Sequence, residues 1–210
     1  FKYNPYGTPP VRLDDNLGYV KVNYLINERS YLELSVANYE RGFKSSVYDD
    51  LSLYGVVPQN GTAEFSIVGE DWVFFDTYFN RREANVDYVW QINKIHNLSV
   101  GSTLQLLKTD YVRRNPDGGE ALEEYYYEPY QIDGYINEKM EFEDMGMIIN
   151  LGARFDYINT NRKVLVDITQ NSDPNAPMEE AQAEFYVTPR LGISFPIADR
   201  AAVRFGYGGY

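Results

Sequence analysis

Residues 183–210 read AEFYVTPRLGISFPIADRAAVRFGYGGY. Phe185, Val187, Leu191, Ile193 and Phe195 alternate with Glu184, Thr188, Arg190 and Ser194. Period-two alternation puts the first set on one face of a β-strand and the second on the other. The apolar face is as greasy as a protein core, yet the opposite face is charged. A strand between lipid and a polar lumen needs that division. The same pattern recurs upstream. Ala84, Val86, Tyr88, Trp90 and Ile92 oppose Glu83, Asn85, Asp87 and Gln91, while Met147, Ile149, Leu151, Ala153, Phe155 and Tyr157 oppose Asn150, Gly152, Arg154 and Asp156. A first hairpin repeats it with Val20, Val22, Tyr24 and Ile26, then Leu32, Leu34 and Val36.

Eight strands are predicted, over roughly 16–26, 31–42, 74–93, 97–113, 131–142, 146–160, 183–196 and 200–210. Helix signals are nearly absent. The connections sort by length. NERS (27–30), NKIH (93–96), EDMG (143–146) and IADR (197–200) are short, and 43–73, 114–130 and 161–182 are long and polar. Short and long alternate strictly. A Greek-key sandwich has no reason to sort its loops this way. An up-and-down barrel of an outer membrane does, with short periplasmic turns at one end and long extracellular loops at the other.

Composition removes other classes. Net charge is −12, which disfavours nucleic acid, whose phosphates require clustered Lys and Arg. No Cys is present, so disulfides and thiolate metal sites are excluded. The single histidine, His96, falls in a short turn, is expected to be exposed, and leaves no Ser/His/Asp set. No apolar run is long enough for a transmembrane helix. The opening FKYNPYGTPP lacks a basic segment followed by an apolar one, so no secretory signal is expected there. Acidic neighbours such as Asp49/Asp50, Glu123/Glu124 and Glu179/Glu180 point to opposite sides of an extended chain and do not converge as a glycosidase pair. The loop NSDPNAPMEE (171–180) lacks the spacing of a calcium loop. The expectation is no enzyme, no metal and no cofactor.

A family resemblance follows from three segments. GYINEKMEFEDMGMIINLGARFDYINTN (134–161), YVTPRLGISFPIADRAAVRFGYG (186–208) and, earlier, ANVDYVWQINKIHNLSVG (84–101) resemble strand–turn–strand units in the barrel of TonB-dependent outer-membrane receptors, particularly the Bacteroidetes-type branch. The resemblance covers the last two-thirds of the chain. It implies part of a barrel of about 22 strands around a plug, in the cell outer membrane, taking up a scarce nutrient such as a siderophore, glycan or peptide. TonB would act through a plug domain that this sequence does not show. A surface lipoprotein is an implied partner.

The fold expectation is therefore all-β: an antiparallel up-and-down transmembrane β-barrel, of which residues 1–210 supply about eight strands, or an open curved sheet when the piece stands alone. The rivals are a non-transport barrel serving as adhesin or structural protein, and a soluble Tyr-rich β-sandwich that binds carbohydrate. Val86, Trp90, Ile149, Leu151, Phe155, Leu191, Ile193 and Phe195 are expected to face lipid. Arg154, Asp156, Arg190 and Arg204 are expected to line the lumen in ion pairs and hydrogen bonds. EALEEYYYEPYQ (120–131) carries Tyr125, Tyr126, Tyr127 and Tyr130, which fit either a ligand platform at the extracellular mouth or an aromatic girdle at the membrane border.

Overall fold

Alternating sequence becomes strand throughout the computed structural model, which describes residues 7–50, 53, 74–114, 121–167, 169, 175–198 and 201–209. The strands are β1 (Val11–Asn27), β2 (Ser30–Ser45), β3 (Phe74–Gln91), β4 (His96–Arg114), β5 (Ala121–Tyr127), β6 (Tyr130–Phe142), β7 (Met147–Asn159), β8 (Lys163–Leu165), β9 (Met178–Glu180), β10 (Glu184–Ala198) and β11 (Ala201–Gly208). Nine form one antiparallel sheet in the order β1-β2-β3-β4-β6-β7-β10-β11, with β5 added to β4, and β8 pairs with β9. Each strand of the main path neighbours the next in the chain, as in an up-and-down sheet. Among the described residues β1 pairs only with β2 and β11 only with β10, so the sheet is open.

Two of the long connections hold more structure than the sequence reading gave them. The span 114–130 contains β5, which pairs with β4 from Thr109↔Tyr127 to Arg114↔Ala121. β6 takes up the same side of β4 from Leu106↔Tyr130 to His96↔Met140. Glu128 and Pro129 separate the two partners, and proline has no N–H to give a ladder. The span 161–182 carries the small β8–β9 hairpin. Most of 51–73 lies outside the described residues.

Local chemistry sets the short turns. Asn27 Oδ1 accepts from the Arg29 amide at 2.8 Å. Asn93 Oδ1 accepts from the Ile95 and His96 amides at 2.8 and 3.0 Å. Side-chain turns of this kind are what asparagine offers over a regular ladder. Between β6 and β7 a single 3-10 turn, Glu143–Met145, ends at Gly146 with φ +61°. A Cβ there would stand 2.9 Å from Pro196 Cγ, so both backbone and space require glycine.

The chain divides into two compact units: Phe1–Leu17, Asn38–Arg81 and Leu107–Glu128 in one, and Gly18–Ala37, Arg82–Leu106 and Pro129–Tyr210 in the other. In the second unit the register fixes both faces. Met140↔Ile149↔Ile193↔Phe205 and Leu151↔Leu191↔Tyr207 run across the apolar face. Tyr135↔Arg154↔Thr188 and Asn137↔Gly152↔Arg190↔Gly208 run across the polar one. Among the described residues nothing covers the apolar face. Leu151 is 42% exposed, Trp90 41% and Val187 52%, and Phe74 is the one buried hydrophobic residue among those described. A water-soluble domain of this length would bury its large apolar side chains in a core.

Candidate functional site

In the first unit the ends of four strands carry a ladder of rings. Phe43 on β2 meets Phe75 on β3 edge-to-face at 5.3 Å and 88°. Phe75 meets Tyr111 on β4 at 5.0 Å and 86°. Tyr111 stacks flat on Tyr125 of β5, with centroids 4.5 Å apart and planes 4° from parallel. Tyr125 in turn stacks on Tyr127 at 4.9 Å. The register explains the flat stack, because Tyr111 and Tyr125 are directly opposed partners and cross-strand side chains of this kind touch. Edge-to-face and offset contacts suit the ring quadrupole.

This geometry splits the tyrosine cluster that the sequence suggested. Tyr125 and Tyr127 share a face. Tyr126 points to the other face, opposite Asp110, where Lys108 Nζ sits 5.1 Å above its ring. Its hydroxyl donates to Glu128, and that carboxylate pushes the Tyr126 phenol above its ordinary range. Tyr130 belongs to the second unit, where its ring lies 6.0 Å from Tyr157. Glu120, at the start of the quoted stretch, lies outside the described residues. Phe43, Phe75 and Tyr111 were absent from the sequence reading. Counting the register back from the hairpin would have found Tyr111. The two phenylalanines lie across β2 and β3, and nothing local announces them.

The same unit holds two fixed ion-pair clusters. Asp15 accepts from Arg41 Nε at 2.7 Å, Arg41 Nη2 at 3.0 Å and the Tyr39 hydroxyl at 2.9 Å. These bonds, Arg41 first, hold the Asp15 carboxyl below its usual range. Arg12 Nη1 donates to both Asp49 oxygens at 2.9 and 3.0 Å, and Lys44 approaches the same carboxylate at 3.0 Å. Asp49 is likewise held low, chiefly by Arg12. Among the described residues no three His, Cys, Asp or Glu side chains converge as a metal centre. Tyr39 and Arg41 share the face of β2 that carries Phe43, whereas Lys44, with Asp49, lies on the other face beside Phe74 and Asp76. Stacking rings beside the Asp15–Arg41 pair can hold a ligand with a flat face and polar substituents.

In the second unit the residues expected to line a lumen do share one face. Arg154 Nε donates to Asp156 at 2.7 Å, and its Nη2 lies 3.4 Å from Asp133, the residue opposite Asp156 in the register. Gln131 donates to Asp133 at 2.8 Å. Beside them the Tyr135 hydroxyl donates to Asp87 at 2.6 Å, and a Cβ at Gly101 would fall onto both the Asp87 carboxylate and the Tyr135 ring. Asn85 links Ser35, Glu83 and Thr103. Arg190 borders a shallow basin floored by Gly192, Gly206 and Gly208 and walled by Asn137 and Asn150. Arg204, opposite Ser194, faces the same way.

The eight residues expected to face lipid occupy the other face. Ile149, Leu151, Phe155, Leu191, Ile193 and Phe195 follow from the register of β7, β10 and β11. Val86 and Trp90 have the parity opposite to Asp87, which points at Tyr135. His96 departs from expectation. It opens β4 rather than lying exposed in a turn, and its Nδ1 is 2.6 Å from Glu138 Oε1. Comparison of this chain with protein-family models, with curated proteins and with solved structures found no match in any of the three.

Proposed function

We propose that this chain is a piece of the barrel of a TonB-dependent outer-membrane receptor, a transporter part rather than an enzyme. The observation that carries the reading is the division of one continuous sheet into an uncovered apolar face and a hydrogen-bonded polar face. The apolar face meets outer-membrane lipid and the polar face meets the lumen. The short turns are periplasmic and the long connections extracellular. Within hydrocarbon an open edge has no water to satisfy its backbone, so strands beyond β1 and β11 close the sheet. The Tyr125–Tyr127 ladder then lies toward the extracellular side and contacts the nutrient during capture. TonB drives release through a plug domain.

Transport is tested by depletion. Cells with and without the intact protein are fed a mixture of iron chelates, oligosaccharides and peptides, and the medium is followed by mass spectrometry. Some compound should vanish only where the protein is present, and an uncoupler of the proton-motive force should stop it. No protein-dependent, uncoupler-sensitive depletion overturns transport in favour of the adhesin or structural barrel.

A further inference from the structure

Arg154, Arg190 and Arg204 share the polar face of β7, β10 and β11, and the chain answers only the first of them. Arg154 is held by Asp156 and Asp133. Arg190 and Arg204 are exposed, and among the described residues neither forms an ion pair. Carboxylates are not scarce, since the chain has 31 Asp and Glu against 19 Lys and Arg. β10 is an inner strand, so both lateral neighbours of Arg190 are fixed: Gly152 on β7 and Gly208 on β11. On the adjoining β6, Lys139 and Glu141 pair with each other.

The two unanswered cations flank one hollow. Arg190 borders the basin floored by glycines, which holds about 510 Å³ of open space. In the register the pair Gly192↔Gly206 lies between Arg190↔Gly208 and Ser194↔Arg204. The outer two rows stand about 13 Å apart along the strand, at about 3.3 Å per residue. Long side chains from both rows can therefore converge above the glycine pair. A Cβ at Gly206 would meet nothing within 4 Å, and one at Gly192 would only touch Asn150, at 3.6 and 3.7 Å. Packing does not demand glycine at either place; what the pair supplies is room over the wall. Asn137 and Asn150 bring carboxamides to the margin, and no carboxylate of the described residues borders it. Two like charges over one hollow repel each other until an anion lies between them. A guanidinium presents paired N–H donors that match a carboxylate or phosphate, and arginines along a lumen select anions.

We propose that Arg190 and Arg204 form an oxyanion site above Gly192 and Gly206, and that the nutrient taken up bears a carboxylate or phosphate group that this site holds. The inference rests on the polar face lining the lumen of a transporter, and the experiment reads the site separately from transport.

The intact protein in detergent is treated with phenylglyoxal, and each modified arginine is located by peptide mass spectrometry, with inorganic phosphate, citrate or glucose as competitor. Arg190 and Arg204 should both react. With phosphate or citrate at about ten times its Kd, both should react about tenfold more slowly, because only the empty site is open to the reagent. Arg29, exposed in the first short turn, should react at one rate throughout, and glucose should protect neither site arginine. Protection by phosphate alone assigns a phosphorylated nutrient, and protection by citrate alone a carboxylated one. Arg190→Gln should abolish protection at Arg204, and Arg204→Gln at Arg190. Gly206→Phe, which fills the hollow, should abolish both. Protection of one arginine that survives loss of the other overturns the shared site, as does equal slowing at Arg29. An Arg190 that does not react in the intact protein is covered by another part of it, and the site falls. Protection without protein-dependent depletion of any compound from the medium keeps the site and removes transport. Depletion of an uncharged nutrient, with no protection, keeps transport and removes the site.

Discussion

Placing an arginine at Leu151 and then at Asn150 tests which face meets lipid. The two residues are neighbours on β7, so backbone and strand propensity are nearly constant between them. Leu151 stands between Glu138 and Leu191, on the apolar face; Asn150 stands between Lys139 and Gly192, on the polar one. Depth follows from geometry. Leu151 is four residues beyond Met147, where β7 leaves the short turn. At about 3.3 Å per residue and a tilt of about 40°, that is a height of about 10 Å. The apolar band of such barrels is about 25 Å tall, so its midplane lies about 12 Å up and Leu151 is close to it. Leu151→Arg should therefore cost about 2–4 kcal/mol, a change of about 30- to 700-fold in the folding equilibrium. Ile149, one pleat lower at about 5 Å, should cost about half as much with the same substitution. Asn150→Arg should cost under about 1 kcal/mol, because its side chain enters a hydrated lumen. The assay is a urea titration of the protein folded into bilayers, followed by tryptophan fluorescence. Equal losses at 150 and 151, or no gradient from 149 to 151, would refute the assignment of faces.

Sidedness is checked in intact cells: a Cys at Gly118, outside the described residues, should react with a membrane-impermeant thiol reagent, and one at Lys94 should not; the reverse pattern inverts the topology. The ring ladder should show coupling, so a double-mutant cycle with Tyr111→Ala and Tyr125→Ala should give an interaction of roughly two- to tenfold in the opening of the β4–β5 hairpin, read by amide exchange; additive effects would show that the stack contributes nothing. Asp15 is held below the ordinary carboxylate range by Arg41 and Tyr39. Its stabilisation is thus complete above the unfolded-state value of about 3.9 and disappears as pH falls through the lower folded value. Amides of β2 near Tyr39 should lose protection in that acid window, relative to Asp15→Asn, which should show no such step. Gly101→Ala should break the Tyr135–Asp87 bond and cost about 1–3 kcal/mol by overpacking, measured in the same urea titration; an unchanged midpoint would mean that the ring moves aside freely.

The sheet was legible because alternation is a property of one strand at a time. Ile149, Leu151 and Phe155 declare their face without reference to any neighbour. The order of strands and the places of the short turns followed from loop lengths, while the parts of Asn27, Asn93 and Gly146 in closing those turns came from the structure. What stayed hidden depends on pairs of strands. β5 reads as a loop because ALEEYYYEP is acidic and ends in proline, and its strand character comes from register with β4. Tyr126 reads as one of a trio, yet period two separates it from both neighbours. Glu138 shares the parity of Ile136 and Met140 within its own strand, but only the fold shows that His96 comes to meet it.

The open sheet has a further consequence, which is one of polymer chemistry. The main path from β1 to β11 contains an even number of strands in antiparallel order. The two edge strands therefore run in opposite directions. A copy that docks its β1 against another's β11 continues the antiparallel alternation without a defect, and the junction leaves a fresh edge at each end. Taken by itself, this piece would be a bifunctional monomer whose two edges are complementary to each other; with both copies held to the same sidedness in a bilayer, neither edge can pair with its own copy. Such a junction is heterologous, so growth either closes as a ring or continues as a ribbon. Dilution and rapid capture of either edge shorten the product, and a blocking strand peptide acts as a chain terminator.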